Sequence, residues 1–255
     1  MQLWTPEHVM AQIPAMLLMI VISVVLHIWL RKKSFTVRII PLQVIAVLIV
    51  LLEVGKQAVS ISRGYDLYHL PFHFCSLFIF MLPIAAFYRG RGAEKLRGLT
   101  AALCASVVLL MLIYPNLIFG PWDVTGFFGD YLAAHTVLFH NLVMLAFCLF
   151  PALALHEPVK GEIKLSVWFI LGFSLVAAVM SQVFKTNYAN MYTCNVPPAE
   201  TLRLAIVDAI GYVPTQILYD AILAALNVLF VLLSYYLYRL ILRAMKRIDE
   251  RKKHG

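Results

Sequence analysis

The sequence predicts an all-α integral membrane protein with seven transmembrane helices, the amino terminus outside and the carboxyl terminus in the cytoplasm. Three observations carry this. Seven stretches, at residues 10–30, 39–57, 71–88, 99–117, 132–155, 165–185 and 214–240, are apolar and near the length of a bilayer crossing. A crossing takes about 20 residues at ~1.5 Å rise each to span a ~30 Å hydrocarbon core. The composition is 62% hydrophobic and 13% charged, whereas about a quarter of the residues of a soluble domain are charged. Finally, 17 of the 21 Lys and Arg residues border alternate connections on one side, at Arg31–Arg38, Arg89–Arg97, Lys160, Lys164 and Arg239–Lys253. Only Lys56, Arg63, Lys185 and Arg203 fall on the other side, the asymmetry that the positive-inside rule produces.

Each segment has its own justification. The residues before 10–30 include Glu7, no Lys or Arg and no clear small-residue cleavage site, so this stretch reads as a retained helix and not as a signal peptide. Segment 39–57 carries Pro41 near its start and Glu53 near its outer end. Segment 71–88 opens on Pro71, which suits a first helical turn because its missing N–H would be unpaired there, and Pro83 is expected to kink it. Segments 99–117 and 132–155 are continuous apolar runs, the second holding Pro151, and 165–185 ends at Lys185. Segment 214–240 starts at Pro214 and leads into a basic cytoplasmic tail, 241–255, that can extend the last helix along the membrane surface. One polytopic domain, 1–255, accounts for the whole chain. Continuous apolar runs exclude a β-barrel, whose strands show ~10-residue alternation. The net charge of +8 sits beside the spans, where it meets anionic headgroups, so it does not point to nucleic acid.

The connections differ in character by side. The basic ones are short (RKKSFTVR, RGRGAEKLRG, HEPVKGEIK), and the others are long and rich in Tyr, Phe, Trp, Asn and Gly. Long structured loops on one face commonly carry function. The four cysteines form no disulfide framework. Cys104 and Cys148 lie inside spans, where a thiol packs as a small apolar group, and Cys75 and Cys194 lie toward the outer face, where a bond between them is one possible reading.

Ionisable groups are expensive inside a bilayer, and here they concentrate in the outer third of the membrane. Glu53, His73, Cys75, His135, His140 and Asp220 fall at this level, with Lys185, Asn187 and Tyr188 directly after segment 165–185. His27, near the inner end of its span, is expected to snorkel, and the inner half otherwise reads as almost free of polar groups. Every member has an ordinary structural alternative: Glu53 pairing with Lys56, His73 with His69, Asp220 with Tyr219 or a Gln, and Cys75 simply packing. A cysteine becomes a nucleophile when a base takes its proton. His140 is placed for that from a neighbouring helix, and Glu53 or Asp220 could orient its ring. His73, two positions from Cys75, faces another side of the helix. Lys185 and Asn187 could hold a phosphate or an oxyanion. No spacing signature for zinc is present and no second in-helix histidine pair accompanies His73 and His140 for haem, so no cofactor or metal is expected.

Leu52-Glu53, Tyr65 and the run Leu70-Pro71-Phe72-His73-Phe74-Cys75-Ser76-Leu77 resemble the YwaF/transmembrane-protein-164 family of integral membrane proteins. So do Phe139-His140-Asn141-Leu142 and Thr186-Asn187-Tyr188-Ala189-Asn190-Met191-Tyr192. The similarity runs from the second segment to the seventh. It implies a phospholipid acyltransferase, since the animal member is described as moving a polyunsaturated acyl chain between phospholipids through a cysteine acyl-enzyme. The nucleophile then maps onto Cys75 and the histidine onto His140, with Glu53, His73, Asn187, Tyr188 and Asp220 as orienting or substrate-binding candidates. The partner is membrane phospholipid, the location a bacterial plasma membrane, and no particular oligomeric state is implied. The alternative is a non-catalytic transporter or a lipid- or solute-binding membrane protein, whose Glu53, His140 and Asp220 would line a path. The sparse inner half argues against a continuous path.

Overall fold

In a computed structural model that describes residues 4–254, every regular element is helical. Helix α1 (Pro6–Leu30) is followed by a single turn, α2 (Phe35–Arg38), and by α3 (Ile40–Ser62). Then come α4 (Phe78–Phe87), α5 (Ala93–Ile113), the short α6 (Pro121–Thr125), α7 (Tyr131–Ala152), α8 (Glu162–Phe184), α9 (Pro197–Ile210) and α10 (Tyr212–His254). Six helical stretches are long and apolar enough to cross a membrane: Pro6–Leu30, Phe35–Ser62, Ala93–Ile113, Tyr131–Ala152, Glu162–Phe184 and Tyr212–Ile248.

The third apolar segment departs from expectation. Instead of one helix over 71–88, the chain is irregular from Leu70 to Phe74, makes a 3₁₀ turn at Cys75–Leu77, and only then enters α4. Ten residues make about 15 Å of helix. The cause is local. Pro71 supplies no N–H, the Phe72 amide turns back to Leu70 O at 2.8 Å, and the chain is not helical before residue 75. Non-helical backbone at membrane depth is tolerated only where protein or a cavity surrounds it. Segment ends shift for equally local reasons. Tyr114, preceding Pro115, is pushed to φ −145°, so the helix stops at Ile113 short of 117. Asp130 caps α7 by accepting from the amides of Leu132 at 2.7 Å and Ala133 at 3.4 Å. At its far end α10 continues unbroken through 43 residues, about 64 Å of helix and twice the hydrocarbon thickness.

Helix α5 is the hub, packed against α4, α7, α8 and α10. Its small residues, Ala101, Ala102, Cys104, Ala105 and Ser106, are all buried, which lets backbones approach closely where lipid removes the usual hydrophobic drive between helices. Helix α1 lies at the edge with most of its surface exposed, and turns His8, Gln12 and Ser23 inward. Gln12 Nε2 donates to Asn141 Oδ1 of α7 at 3.2 Å. His27 does not snorkel: its Nδ1 donates to Ala152 O at 2.6 Å, while Arg38 Nη1 donates to Leu153 O at 2.8 Å. Two basic side chains thus satisfy carbonyls at the carboxyl end of α7, where cations are favoured.

The basic connections gather at one pole, where the Glu157 amide donates to Glu94 Oε2 at 3.1 Å and Arg239 Nη1 donates to Tyr235 Oη at 2.9 Å. This pole is not empty of buried polarity, contrary to the sequence expectation. Glu162, His156, Tyr235 and Tyr238 are almost fully buried. His156 Nε2 lies 2.9 Å from Glu162 Oε2 and Nδ1 3.2 Å from Tyr238 Oη, and Tyr235 Oη donates to Glu162 Oε1. The expectation failed because Glu162 and His156 belong by sequence to a loop, and the tyrosines to an apolar run.

Removing a buried acceptor leaves its hydrogen-bond donors unsatisfied, at about 1–3 kcal/mol each. Glu162→Ala is therefore expected to lower the thermal unfolding midpoint in detergent strongly, with Glu7→Ala, a change at the exposed start of α1, moving it little.

Candidate functional site

At the pole opposite the basic connections lies a cavity of about 640 Å³. Its wall is assembled from distant parts of the chain. The carboxyl half of α3 supplies Glu53 and Lys56, the irregular segment supplies His73, Phe74, Cys75 and Ser76, and α7 supplies His135, Thr136, Phe139 and His140. Asp123 of α6, Tyr68 and His69, Asn187, Asn190 and Asn195 after α8, and Asn227 of α10 complete the polar part. Val107, Leu110, Phe139, Leu226 and Phe230 form an apolar part. Leu226, in the middle of α10, is 53% exposed.

His140 is nearly buried, its ring packed edge-on against Phe119 at 5.4 Å and Phe139 at 5.5 Å between centroids. Nδ1 lies 2.7 Å from Thr136 O, one turn back. A carbonyl can only accept, so this bond assigns the proton to Nδ1 and leaves the lone pair on Nε2. Among the described residues nothing hydrogen-bonds to that Nε2. Cys75 is a free, half-buried thiol on the same wall, with Ser76 next to it in the 3₁₀ turn. No hydrogen bond joins Cys75 to His140; they share the cavity without touching. The backbone amides of His73 and Phe74, immediately before the 3₁₀ turn, find no acceptor among the described residues.

The remaining sequence candidates separate. Glu53 is engaged by Lys56 Nζ at 2.7 Å and by Gln57 Nε2 at 2.7 Å, and its other oxygen lies 3.4 Å from His135 Nε2. It therefore holds Lys56 and lies beside His135, whose Nε2 completes no hydrogen bond among the described residues; the ring of His140 is held by a backbone carbonyl instead. His73 does not bond His69. Its Nε2 donates to Tyr68 O at 2.9 Å, and His69 Nδ1 meets Ser60 Oγ at 2.6 Å. Asn187 is occupied in shaping its loop, accepting from the Tyr192 and Thr193 amides at 3.1 Å each and donating to Asn195 Oδ1 at 3.2 Å. Tyr188 is fully buried behind the wall. Its hydroxyl donates to Leu67 O at 2.5 Å, and its ring meets Phe72 and His73 edge-on at 5.3 Å. It braces the segment that leads to Cys75. All four cysteines are free, so Cys75 and Cys194 are not joined.

Asp220 lies outside the cavity. It accepts from Gln216 Nε2 at 2.9 Å, one turn back on its own helix, in a second cluster that straps the 191–196 loop down. Gln216 Nε2 also donates to Met191 O at 2.9 Å, and Tyr219 Oη to Asn190 O at 2.7 Å. Arg203 grips Glu200 through Nε at 2.8 Å and Nη2 at 2.6 Å and reaches Gln216 Oε1 at 3.1 Å. Backbone strain sits at the same place. Lys185, Ala189 and Asn190 adopt φ of 49°, 48° and 63°, a left-handed conformation that Asn tolerates but that is costly for the others.

Among the described residues no group of three or more His, Cys, Asp or Glu is spaced to hold a metal. His135 was placed at this level by the sequence but given no role, and Lys56, His69, Asp123 and Asn227 are wall residues that sequence reasoning did not select. Lys56 was legible only as a partner of Glu53. Asn227, an amide within an apolar run, was itself a signal.

Arg203 beside Glu200 holds that carboxyl below its ordinary range, and Glu200 Oε2 accepts the Cys194 amide at 2.8 Å. A carboxylate held low contributes stability above its ordinary pKa and loses it as pH falls through the folded value. Hydrogen-exchange protection of the Cys194 amide, corrected for intrinsic rate, is expected to be constant at neutral pH and to fall on acidification. In Glu200→Gln it should be low and flat throughout.

No curated protein and no solved structure matches this chain. A family model described as the TMEM164 family matches residues 3–244. That match takes in α1, the broken third segment, the cavity wall and most of the apolar part of α10, and the chain belongs to the TMEM164 family.

Proposed function

We propose that the protein transfers acyl chains on membrane phospholipids through a cysteine thioester formed in the outer-pole cavity, with the broken third segment as a seventh crossing. The basic pole is then cytoplasmic and the cavity opens toward the outer leaflet, in a bacterial plasma membrane. The observation that carries this reading is a free thiol and an unclaimed imidazole lone pair on the walls of one cavity whose other side is apolar. A phospholipid ester can enter sideways past Leu226 with its chain among Leu110, Phe139 and Phe230.

The chemistry then follows from the groups present. Cys75 Sγ gives its proton to His140 Nε2, and the thiolate attacks the ester carbonyl. The tetrahedral oxyanion is met by the amides of His73 and Phe74 and by the Ser76 hydroxyl, donors that travel with Cys75 on the same short segment. Collapse breaks the C–O bond. The departing lysophospholipid oxygen takes the proton from Nε2, and the acyl group remains on sulfur. An acceptor lysophospholipid hydroxyl next loses its proton to Nε2 and attacks the thioester, and the thiolate leaves and is reprotonated. Closing the two polar groups into contact costs a movement of the segment that holds Cys75, which is short, non-helical and braced by Tyr188. Glu53 and Lys56, tied to one another, supply the charged rim at which a zwitterionic headgroup can rest.

Incubating the purified protein with phosphatidylcholine bearing an alkyne-tagged acyl chain is expected to leave a hydroxylamine-sensitive label on the wild type and none on Cys75→Ala. His140→Gln should slow labelling by about 10²–10⁴-fold, the usual contribution of a general base. Undiminished labelling of Cys75→Ala would remove the mechanism.

A further inference from the structure

The basic pole carries a cluster that acyl transfer does not use. The ring of Phe35, at the start of α2, is approached by three guanidinium groups. Arg97 Cζ lies 5.1 Å from its centroid, and Arg38 Cζ and Arg89 Cζ lie 5.7 Å away. They come from α5, from α2 and from the α4–α5 connection, so the tertiary fold brings them together. Arg31 is a further positive charge near Arg38. Among the residues whose side chains are described, the carboxylates at hand are Glu94 and Glu157. Glu94 is spent on Arg97 Nη2 and on the Glu157 amide, and the Glu157 side chain is exposed.

Two of these guanidinium groups are incompletely satisfied. Arg97 is only 5% exposed, yet its Nε and Nη1 have no hydrogen-bond partner among the described residues. Arg38 spends Nη1 on the carbonyls of Leu153 and Ala154 at 2.8 and 3.2 Å, but its buried Nε has none. Native folds leave few buried donors unpaired, and those of a charged group least of all. The face of one aromatic ring offsets part of a cation's desolvation. It does not offset three cations, which also repel one another at this range. What completes the arrangement is an anion presenting several acceptor oxygens on one centre. Planar guanidinium forks match phosphate in that way. The place also fits, because basic pockets between membrane helices on the cytoplasmic side suit lipid headgroups.

We propose that the Phe35, Arg38, Arg89 and Arg97 cradle is a binding site for a phosphate group, carried by an anionic phospholipid or free in solution. Phe35 sets the spacing of the guanidinium groups, Arg97 and Arg38 present the buried donors, and exposed Arg89 closes the site from the water side. The site is independent of the cavity and stands whether or not acyl transfer occurs.

The test uses the full chain in neutral detergent, with lipid retention read by native mass spectrometry and the unfolding midpoint read in parallel. Phosphatidylglycerol is expected to be retained and to raise the midpoint, and phosphatidylcholine to do neither. Arg89→Gln, a surface change that the fold tolerates, should cut retention about tenfold, the loss of one charge-assisted contact. Arg91→Gln, the same charge removed from the same connection outside the cradle, should change little. Arg97→Gln should match or exceed the loss in Arg89→Gln, and if it does not fold, Arg89→Gln alone decides. Inorganic phosphate that stabilises the wild type but not Arg89→Gln would support the site with soluble phosphate as its ligand. Equal losses in Arg89→Gln and Arg91→Gln, or no preference for phosphatidylglycerol over phosphatidylcholine, would overturn the proposal.

Discussion

Inside a bilayer no water is available to satisfy a peptide group, and the architecture of this protein follows from how that constraint is met. Five long helices and the first part of α10 meet it internally, bond by bond. The segment from Leu70 to Phe74 cannot. It survives because α3, α7, the loop after α8 and α10 share with it the wall of one cavity, and because Tyr188 braces the turn before it at Leu67 O. The same opening that wrapping creates is the cavity. A continuous third helix would have needed no such enclosure, and Cys75 would have been one more thiol packed against apolar neighbours, as Cys104 is.

Polar residues in this fold do two kinds of work, and the structure separates them by how completely they are paired. Glu162, His156 and Tyr235 at the basic pole, and Gln12 with Asn141 between α1 and α7, are bonded to one another and hold helices together. Arg203, Glu200 and Gln216 do the same for the loop above the cavity. Among the described residues, groups left with capacity to spare include the His140 lone pair, the Cys75 thiol and His135 Nε2 at the cavity and, at the other pole, donors of Arg97 and Arg38. An unspent hydrogen-bonding group is expensive to bury, which makes its persistence more informative than a satisfied one.

The long segments were legible because apolar length is a one-dimensional property that needs no knowledge of neighbours. The convergence of Glu53, Cys75 and His140 at one level was legible for the same reason, since counting turns from a helix end gives depth. What depth does not give is azimuth. Asp220 shares the level but faces Gln216, and Tyr188 shares it but stands behind the wall. Glu53 was expected to serve His140 and holds Lys56 instead. The break at Pro71 was misread because proline is as much at home in a first helical turn as in an irregular chain, and only the enclosing helices decide between the two. The inner polar cluster was hidden because its acid and histidine sit in a loop by sequence and are brought under cover by packing.

The bond from His140 Nδ1 to Thr136 O has one more implication. Since the carbonyl is content with a neutral or a cationic ring, the imidazole can accept a proton at its far nitrogen and release it again without rotating or breaking any contact. Such a group behaves as a stationary relay. Whatever rearrangement a reaction cycle demands then falls on the chain opposite it, and the ring's aromatic neighbours can pack as tightly as in any inert core.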